Sequence, residues 1–380
     1  MNVLISAEYF YPFVGGAEIC LYSLARKLAK KHNVYVYCTG NADKKFVRES
    51  IHINQISTPY RFIKARWMQL FFSSKKWLKI VSDAVSDTNP DIILTQLNLS
   101  PPTIEIANRL GIPSALFLHS FDSFCPTNLY LGERCKKDCL LCMPNIKWIL
   151  QYYFIKKYLL AQETAMNNAE LVISNSQYMQ KFFRDKCDIS TEIIYPFIEL
   201  NDFKADDSVE KKYITFINPL HIKGLEIFKK IVLGMPNKLF LVVNGFKSKM
   251  EEKKLKAKNI KYMQATNDMR KVYSMTKILL VPSICHEAFP RVCIEAMING
   301  IPSIISNRGG LPENVGNSGI VIKNIYDIEE WCSQINRLDN EVELYKTLSE
   351  RSRNRALKFD FEKTYELFKQ AAKKKLAITL

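Results

Sequence analysis

His286-Glu-Ala-Phe-Pro-Arg-Val-Cys-Ile-Glu-Ala-Met-Ile-Asn-Gly-Ile-Pro-Ser-Ile-Ile-Ser-Asn-Arg-Gly-Gly-Leu-Pro-Glu-Asn-Val315 decides how the chain is read. Two carboxylates, Glu287 and Glu295, stand eight positions apart. Phe289-Pro290 lies between them and reads as a helix start, since proline is favoured at the first helical position. Gly300 and Pro302 end that helix. Residues 303–306 read as a short buried strand, and Gly309-Gly310 as a glycine turn. A helix start offers unpaired N–H groups and a positive dipole end, which suits a phosphate. The flanking carboxylates cannot hold that phosphate, but they can accept hydrogen bonds from hydroxyls on either side of it. A nucleotide-sugar has that layout, with a sugar at one end of the diphosphate and a ribose at the other.

Outward from this stretch the chain alternates. Short apolar runs at 3–6, 34–38, 92–95, 115–119 and 171–175 read as strands, and 17–31, 66–85 and 102–110 have helical spacing. The second half repeats the scheme. Strands are expected at 213–217, 239–243, 260–263, 278–281, 303–305 and 320–322, and helices at 225–233, 268–275, 291–299, 328–338 and 341–357. Such alternation predicts parallel sheets covered by helices. Pro196 marks a boundary, giving domains over 1–195 and 196–358 and a closing helical segment over 359–380. Ligands of such sheets sit at the carboxyl ends of strands. Gly15-Gly16, His119, Lys223, Glu287 and Gly309-Gly310 all follow predicted strands and are expected to line one site.

Gly15 and Gly16 lack Cβ atoms, which allows close approach of backbone to a ligand, or simply a tight strand-to-helix turn. Glu18 is either part of that site or a first-turn carboxylate complementing the helix dipole. Lys223 before Gly224 is the best phosphate ligand in the chain; the plainer reading is a solvated lysine at a helix start.

These residues together resemble a known family. Glu287 and Glu295 match the Glu-x7-Glu signature of retaining family-4 glycosyltransferases (glycosyl transferases group 1). Gly15-Gly16-Ala17-Glu18, residues 169–176, Asn218 to Gly224 and Phe359-Asp360-Phe361-Glu362 match further segments in the same order. The resemblance implies a GT-B fold, two Rossmann-like domains facing a central cleft, with the last helix crossing back to the first domain. It implies a retaining transferase that moves a sugar from a UDP- or GDP-sugar to a hydroxyl. Glu287, Lys223 and His119 are then the catalytic candidates. Gly15, Gly16, Lys223, Glu287, Phe289, Pro290, Glu295, Gly309 and Gly310 are the donor-binding ones. By resemblance Glu287 holds sugar hydroxyls, Glu295 the ribose, and His119 a sugar near the reaction. Glu313 fits the family pattern as well as a capping or ion-pair role. One departure stands out: the family's arginine five residues before the lysine is Asn218 here, and Arg291 is a candidate replacement. No Asp-x-Asp motif follows a strand, so no metal cofactor is expected for catalysis.

Composition frames the rest. Of 380 residues 47% are apolar, ample for two cores, and no apolar run reaches membrane-spanning length. The first residues read as a strand rather than a signal peptide, so a cytoplasmic protein with reduced thiols is expected. The net charge of +16 leaves nucleic acid, an anionic membrane surface or solubility. No nucleic-acid motif is present. Basic residues interleave with aromatic ones at 59–81 and 147–160, which suits a lipid headgroup zone at the inner face of the membrane as well as core helices with solvated edges. A glycan or lipid-linked oligosaccharide of a bacterial surface polysaccharide is the acceptor expected by resemblance. Cys125, Cys135, Cys139 and Cys142 suit a structural zinc, or remain thiols or a labile disulfide. Two other classes are a nucleotide-sugar 2-epimerase of the same fold and a non-catalytic, metal-stapled membrane adaptor.

Overall fold

A computed structural model describes residues 1–11, 15–125, 145–245 and 257–380. The chain divides into two compact units, Met1–Phe197 with Thr364–Leu380, and Ile198–Lys363. The predicted cysteines 135, 139 and 142, and most of the lysine-rich run from 247, fall outside the described residues.

The first unit holds strands β1 (Asn2–Ala7), β2 (Asn33–Gly40), β3 (Lys44–Arg48), β4 (Ile51–Ser57), β5 (Ile92–Gln96), β6 (Ser114–Leu118), β7 (Leu171–Ser174) and β8 (Glu192–Ile193). They form one sheet in the order β3-β4-β2-β1-β5-β6-β7-β8. Every pairing is parallel except β3 with β4. The central strands are buried end to end, with Val3, Leu4 and Ile5 and then Ile92, Ile93 and Leu94 at 0% exposure, as a sheet covered on both faces requires. Helix Arg66–Thr88 lays Trp77 and Val81 on that sheet, and the Trp77 indole donates to Ser6 Oγ at 2.9 Å. The tail contributes Phe368, fully buried and packed on Phe117 and Phe197.

The basic aromatic segments divide their side chains. Trp67, Trp148 and Tyr158 pack together, with Ile155 at 0% exposure. Phe62 and Leu150 stand 77% and 76% exposed.

The second unit holds β9 (Tyr213–Ile217), β10 (Phe240–Val243), β11 (Ile260–Met263), β12 (Thr276–Val281), β13 (Ser303–Ser306) and β14 (Ile320–Ile322). All pairings are parallel, in the order β11-β10-β9-β12-β13-β14. That is the doubly wound 3-2-1-4-5-6 order, whose direction reverses between β9 and β12. The core gathers Phe216, Phe228, Phe240 and Trp331. Helix Ile328–Asn340 is capped by Asp327, whose side chain accepts from the Glu330 N–H at 3.0 Å.

Candidate active site

The loops after β9, β12 and β13 meet at the reversal of strand order, where such sheets take their ligands. Two glycines permit the meeting. Gly224 has φ +88°, and a Cβ there would lie 1.9 Å from the Pro282 carbonyl oxygen. Gly309 has φ +61°, and a Cβ there would lie 2.1 Å from the Glu287 carbonyl oxygen. Both positions therefore exclude a side chain by conformation and by space. Ile222 C=O accepts from the N–H groups of Ile284 and Cys285 at 3.0 and 3.2 Å, tying the first loop to the second. Glu287 bridges Gly309, and its carbonyl accepts from the Gly310 N–H at 2.7 Å, tying the second to the third.

At this junction the Lys223 ammonium sits 2.5 and 2.6 Å from the two carboxylate oxygens of Glu287. Ser283 Oγ donates to Glu287 Oε1 at 2.6 Å, and Ser283 is held in turn by Ser306 Oγ, which donates to its carbonyl at 2.7 Å. Burial pulls the Lys223 ammonium down, but the Glu287 charge and hydrogen bond, with the Cys285 and Cys293 thiols, together outweigh it and the net direction is upward. The lysine is thus a fixed cation, 29% exposed, beside a carboxylate that is 10% exposed. Burial and the nearby Arg308 lower the His286 imidazole to about 4, so it is neutral next to this pair.

Helix Arg291–Ile298 starts at Pro290, which caps it without a side-chain bond. Glu295 lies within that helix, 6% exposed. Its Oε2 accepts from the Tyr273 hydroxyl at 2.8 Å, and its Oε1 lies 3.5 Å from Arg291 Nε. Burial and the Glu295 charge hold the Tyr273 phenol far above its usual range. Arg291 is 9% exposed and faces Glu295, so it is not a solvated first-turn residue. Phe289 is buried with its ring edge-on to Phe359 at 5.2 Å. Asn218 takes φ +58°, and its Oδ1 lies 2.4 Å from where a Gly245 Cβ would stand. Arg355 donates to the backbone carbonyls of Glu313 and Asn314.

In the first unit Gly15 caps helix Gly16–Leu28 with an extended φ of −134°. Its missing side chain leaves room for the Glu18 carboxylate, which lies 2.1 Å from where a Cβ would stand. His119 follows β6, stacked on Phe117, and its carbonyl accepts from Asn175 Nδ2 at 3.4 Å. Cys38, Cys285 and Cys293 are buried free thiols, and Cys332 is a half-buried one. Among the described residues no group of three or more His, Cys, Asp or Glu is placed to hold a metal.

Lys223, Glu287 and Gly309-Gly310 are brought together, with Pro290 and Glu295 on the helix that follows. Ser283 and Tyr273, which fix the two carboxylates, were not singled out in the sequence. Ser283 stands four residues before Glu287, and only the loop that closes between them reveals its part.

Two doubly wound units, one carrying a lysine–carboxylate pair at its switch point, define an α/β class that takes its ligands at the carboxyl ends of the strands. A sequence model of Glycosyltransferase Family 4 matches residues 14–202, and one of Glycosyl transferases group 1 matches residues 198–355. The chain belongs to this glycosyltransferase family and is a transferase enzyme. It is 23% identical over 359 residues to an uncharacterized protein in the cps region of Klebsiella pneumoniae, covering 87% of this chain and 90% of that one. Among solved structures it resembles sucrose-phosphate synthase from Thermosynechococcus elongatus, with TM-score 0.78, 18% identity and 99% of each chain covered. It also resembles Anabaena HepE in complex with UDP-glucose, with TM-score 0.71, 18% identity and all of both chains covered. These likenesses establish the GT-B fold class.

Proposed function

We propose that the protein transfers a sugar from a UDP- or GDP-sugar to a hydroxyl of a glycan or lipid-linked oligosaccharide, with retention of configuration, in surface polysaccharide synthesis. The observation that carries this is the Lys223–Glu287 pair, 2.5 Å apart at the switch point of the second unit. Without a ligand the two charges satisfy each other. A diphosphate competes with Glu287 for the ammonium and frees its oxygens to accept sugar hydroxyls. Lys223 then stabilises charge growing on the leaving diphosphate, aided by the N-terminus of helix Arg291–Ile298. In the mechanism of the family the departing phosphate oxygen takes the acceptor's proton on the same face, so no protein base is needed. Glu295 is the ribose candidate and His119 the candidate near the transferred sugar. The UDP-glucose bound to HepE and the cps-region relative support the donor class and the polysaccharide role.

The proposal extends to place. Exposed Phe62 and Leu150, with exposed Lys64, Lys147, Lys156 and Lys157, suit an anionic membrane surface. No described helix is long and apolar enough to cross a membrane.

The test is nucleotide release from UDP-glucose, UDP-galactose, UDP-N-acetylglucosamine and GDP-mannose. Lys223→Ala and Glu287→Ala are each expected to lower turnover by about a hundredfold or more, the cost of one lost transition-state contact. Unchanged turnover in both variants contradicts the assignment. Retention is checked separately, by the anomeric proton coupling of the product against that of the donor.

A further inference from the structure

A second polar centre lies wholly within the first unit, at the carboxyl ends of β5 and β6. The chain after β6 is pinned by two aromatic anchors. Phe121, 4% exposed, meets Phe182 edge-on at 4.9 Å, and Phe124 meets the same ring at 4.9 Å. The turn between them is closed by the Phe124 N–H donating to the Phe121 carbonyl at 3.0 Å. Asp122 is therefore held by packing on both sides of it. It lines a pocket of about 20 Å³ with Ser100, His119, Ser120, Tyr158 and Gln162. That volume admits one water-sized group.

Asp122 Oδ1 is buried and has no hydrogen-bond partner among the described residues. Three of the lining side chains spend their donors elsewhere. Tyr158 donates to Asn98 Oδ1 at 2.6 Å. Gln162 donates to the Leu97 carbonyl at 3.4 Å, and Ser100 Oγ to Gln162 Oε1 at 3.3 Å. Asn98 in turn donates to Glu8, whose other oxygen takes the Arg66 guanidinium at 2.9 Å. Burial raises the Asp122 carboxyl; a Ser120 hydrogen bond and Arg66 oppose this, and the Glu8 charge adds to it. A buried carboxylate oxygen left unpaired is costly, so Asp122 Oδ1 calls for a donor from outside the chain.

We propose that Asp122 accepts a hydrogen bond from a sugar hydroxyl in this pocket and so positions the sugar, the donor's or the acceptor's, on the His119 side. The inference rests on the transferase reading above.

The experiment measures nucleotide release by wild type, Asp122→Asn and Asp122→Ala. One arm uses the donor that wild type turns over in the four-donor panel. The other adds methyl glucoside, galactoside and mannoside as acceptors. UDP and GDP affinity by calorimetry and the melting temperature are read alongside. Asp122→Ala is expected to raise the KM for a sugar substrate about tenfold or more, with Asp122→Asn intermediate, since a hydrogen bond to a charged group is lost. Nucleoside diphosphate affinity stays within twofold. An effect already present in donor hydrolysis assigns the hydroxyl to the donor; one seen only with added glycoside assigns it to the acceptor. Variants matching wild type in both arms overturn the inference, meaning that water alone fills the pocket. A fall in nucleotide affinity parallel to turnover also overturns it, because the role is then structural. No release from any donor by wild type removes the transferase reading itself, and this inference with it.

Discussion

Glu287 receives three donated contacts without a ligand, two from Lys223 and one from Ser283. Its backbone is fixed as firmly, because Gly309 admits no side chain against it. Next to it stands His286, whose imidazole is lowered from 6.5 to about 4 by burial and by Arg308. The unfolded chain takes up a proton on this side chain between those values, and the native chain does not. Stability is therefore lost as pH falls from 6.5 toward 4. His286→Asn is expected to flatten that part of the urea-midpoint profile, and an unchanged slope contradicts the account. Lys223, Glu287 and the glycine pair were legible in the sequence because their spacing forms a motif. Tyr273, Ser283 and Asp122 were not, because each matters only through what the fold sets beside it: Glu295, Glu287 and a small polar pocket.

The long central elements were legible for a different reason. Parallel strands buried on both faces leave continuous apolar runs, as in β1, β5 and β12. The hairpin β3–β4 left no such trace. β3 reads Lys-Lys-Phe-Val-Arg and is largely exposed at the sheet edge, where charge guards against stray pairing. Its turn, Glu49-Ser50, takes φ +48° and +61° without the Asn-Gly signal that marks such turns. The helix expected over 268–275 shrinks to Arg270–Tyr273, because Thr266 Oγ1 accepts from the Asp268 N–H at 3.0 Å and organises the preceding segment as a turn. Ser50 bears the cost of a left-handed backbone. Ser50→Gly is expected to raise stability by about 0.5 kcal/mol, the left-handed strain less the added freedom of the unfolded chain. A lower urea midpoint contradicts this.

At the scale of the whole molecule, the charge of +16 and the exposed apolar side chains of the first unit bear on where the enzyme works. Co-sedimentation with vesicles containing phosphatidylglycerol is expected, weakening about tenfold or more as salt screens the attraction. The double change Phe62→Ser with Leu150→Ser is expected to reduce it further, and equal binding to neutral vesicles contradicts a charge-led surface. In the second unit three loops deliver a lysine and a carboxylate to the point at which strand order reverses. Nucleotide release from the four-donor panel by wild type and Glu287→Ala tests the role of this pair most directly. Wild type is expected to release nucleotide from one donor, and the variant to lose about a hundredfold. Equal release by both proteins, or none from any donor by wild type, contradicts it.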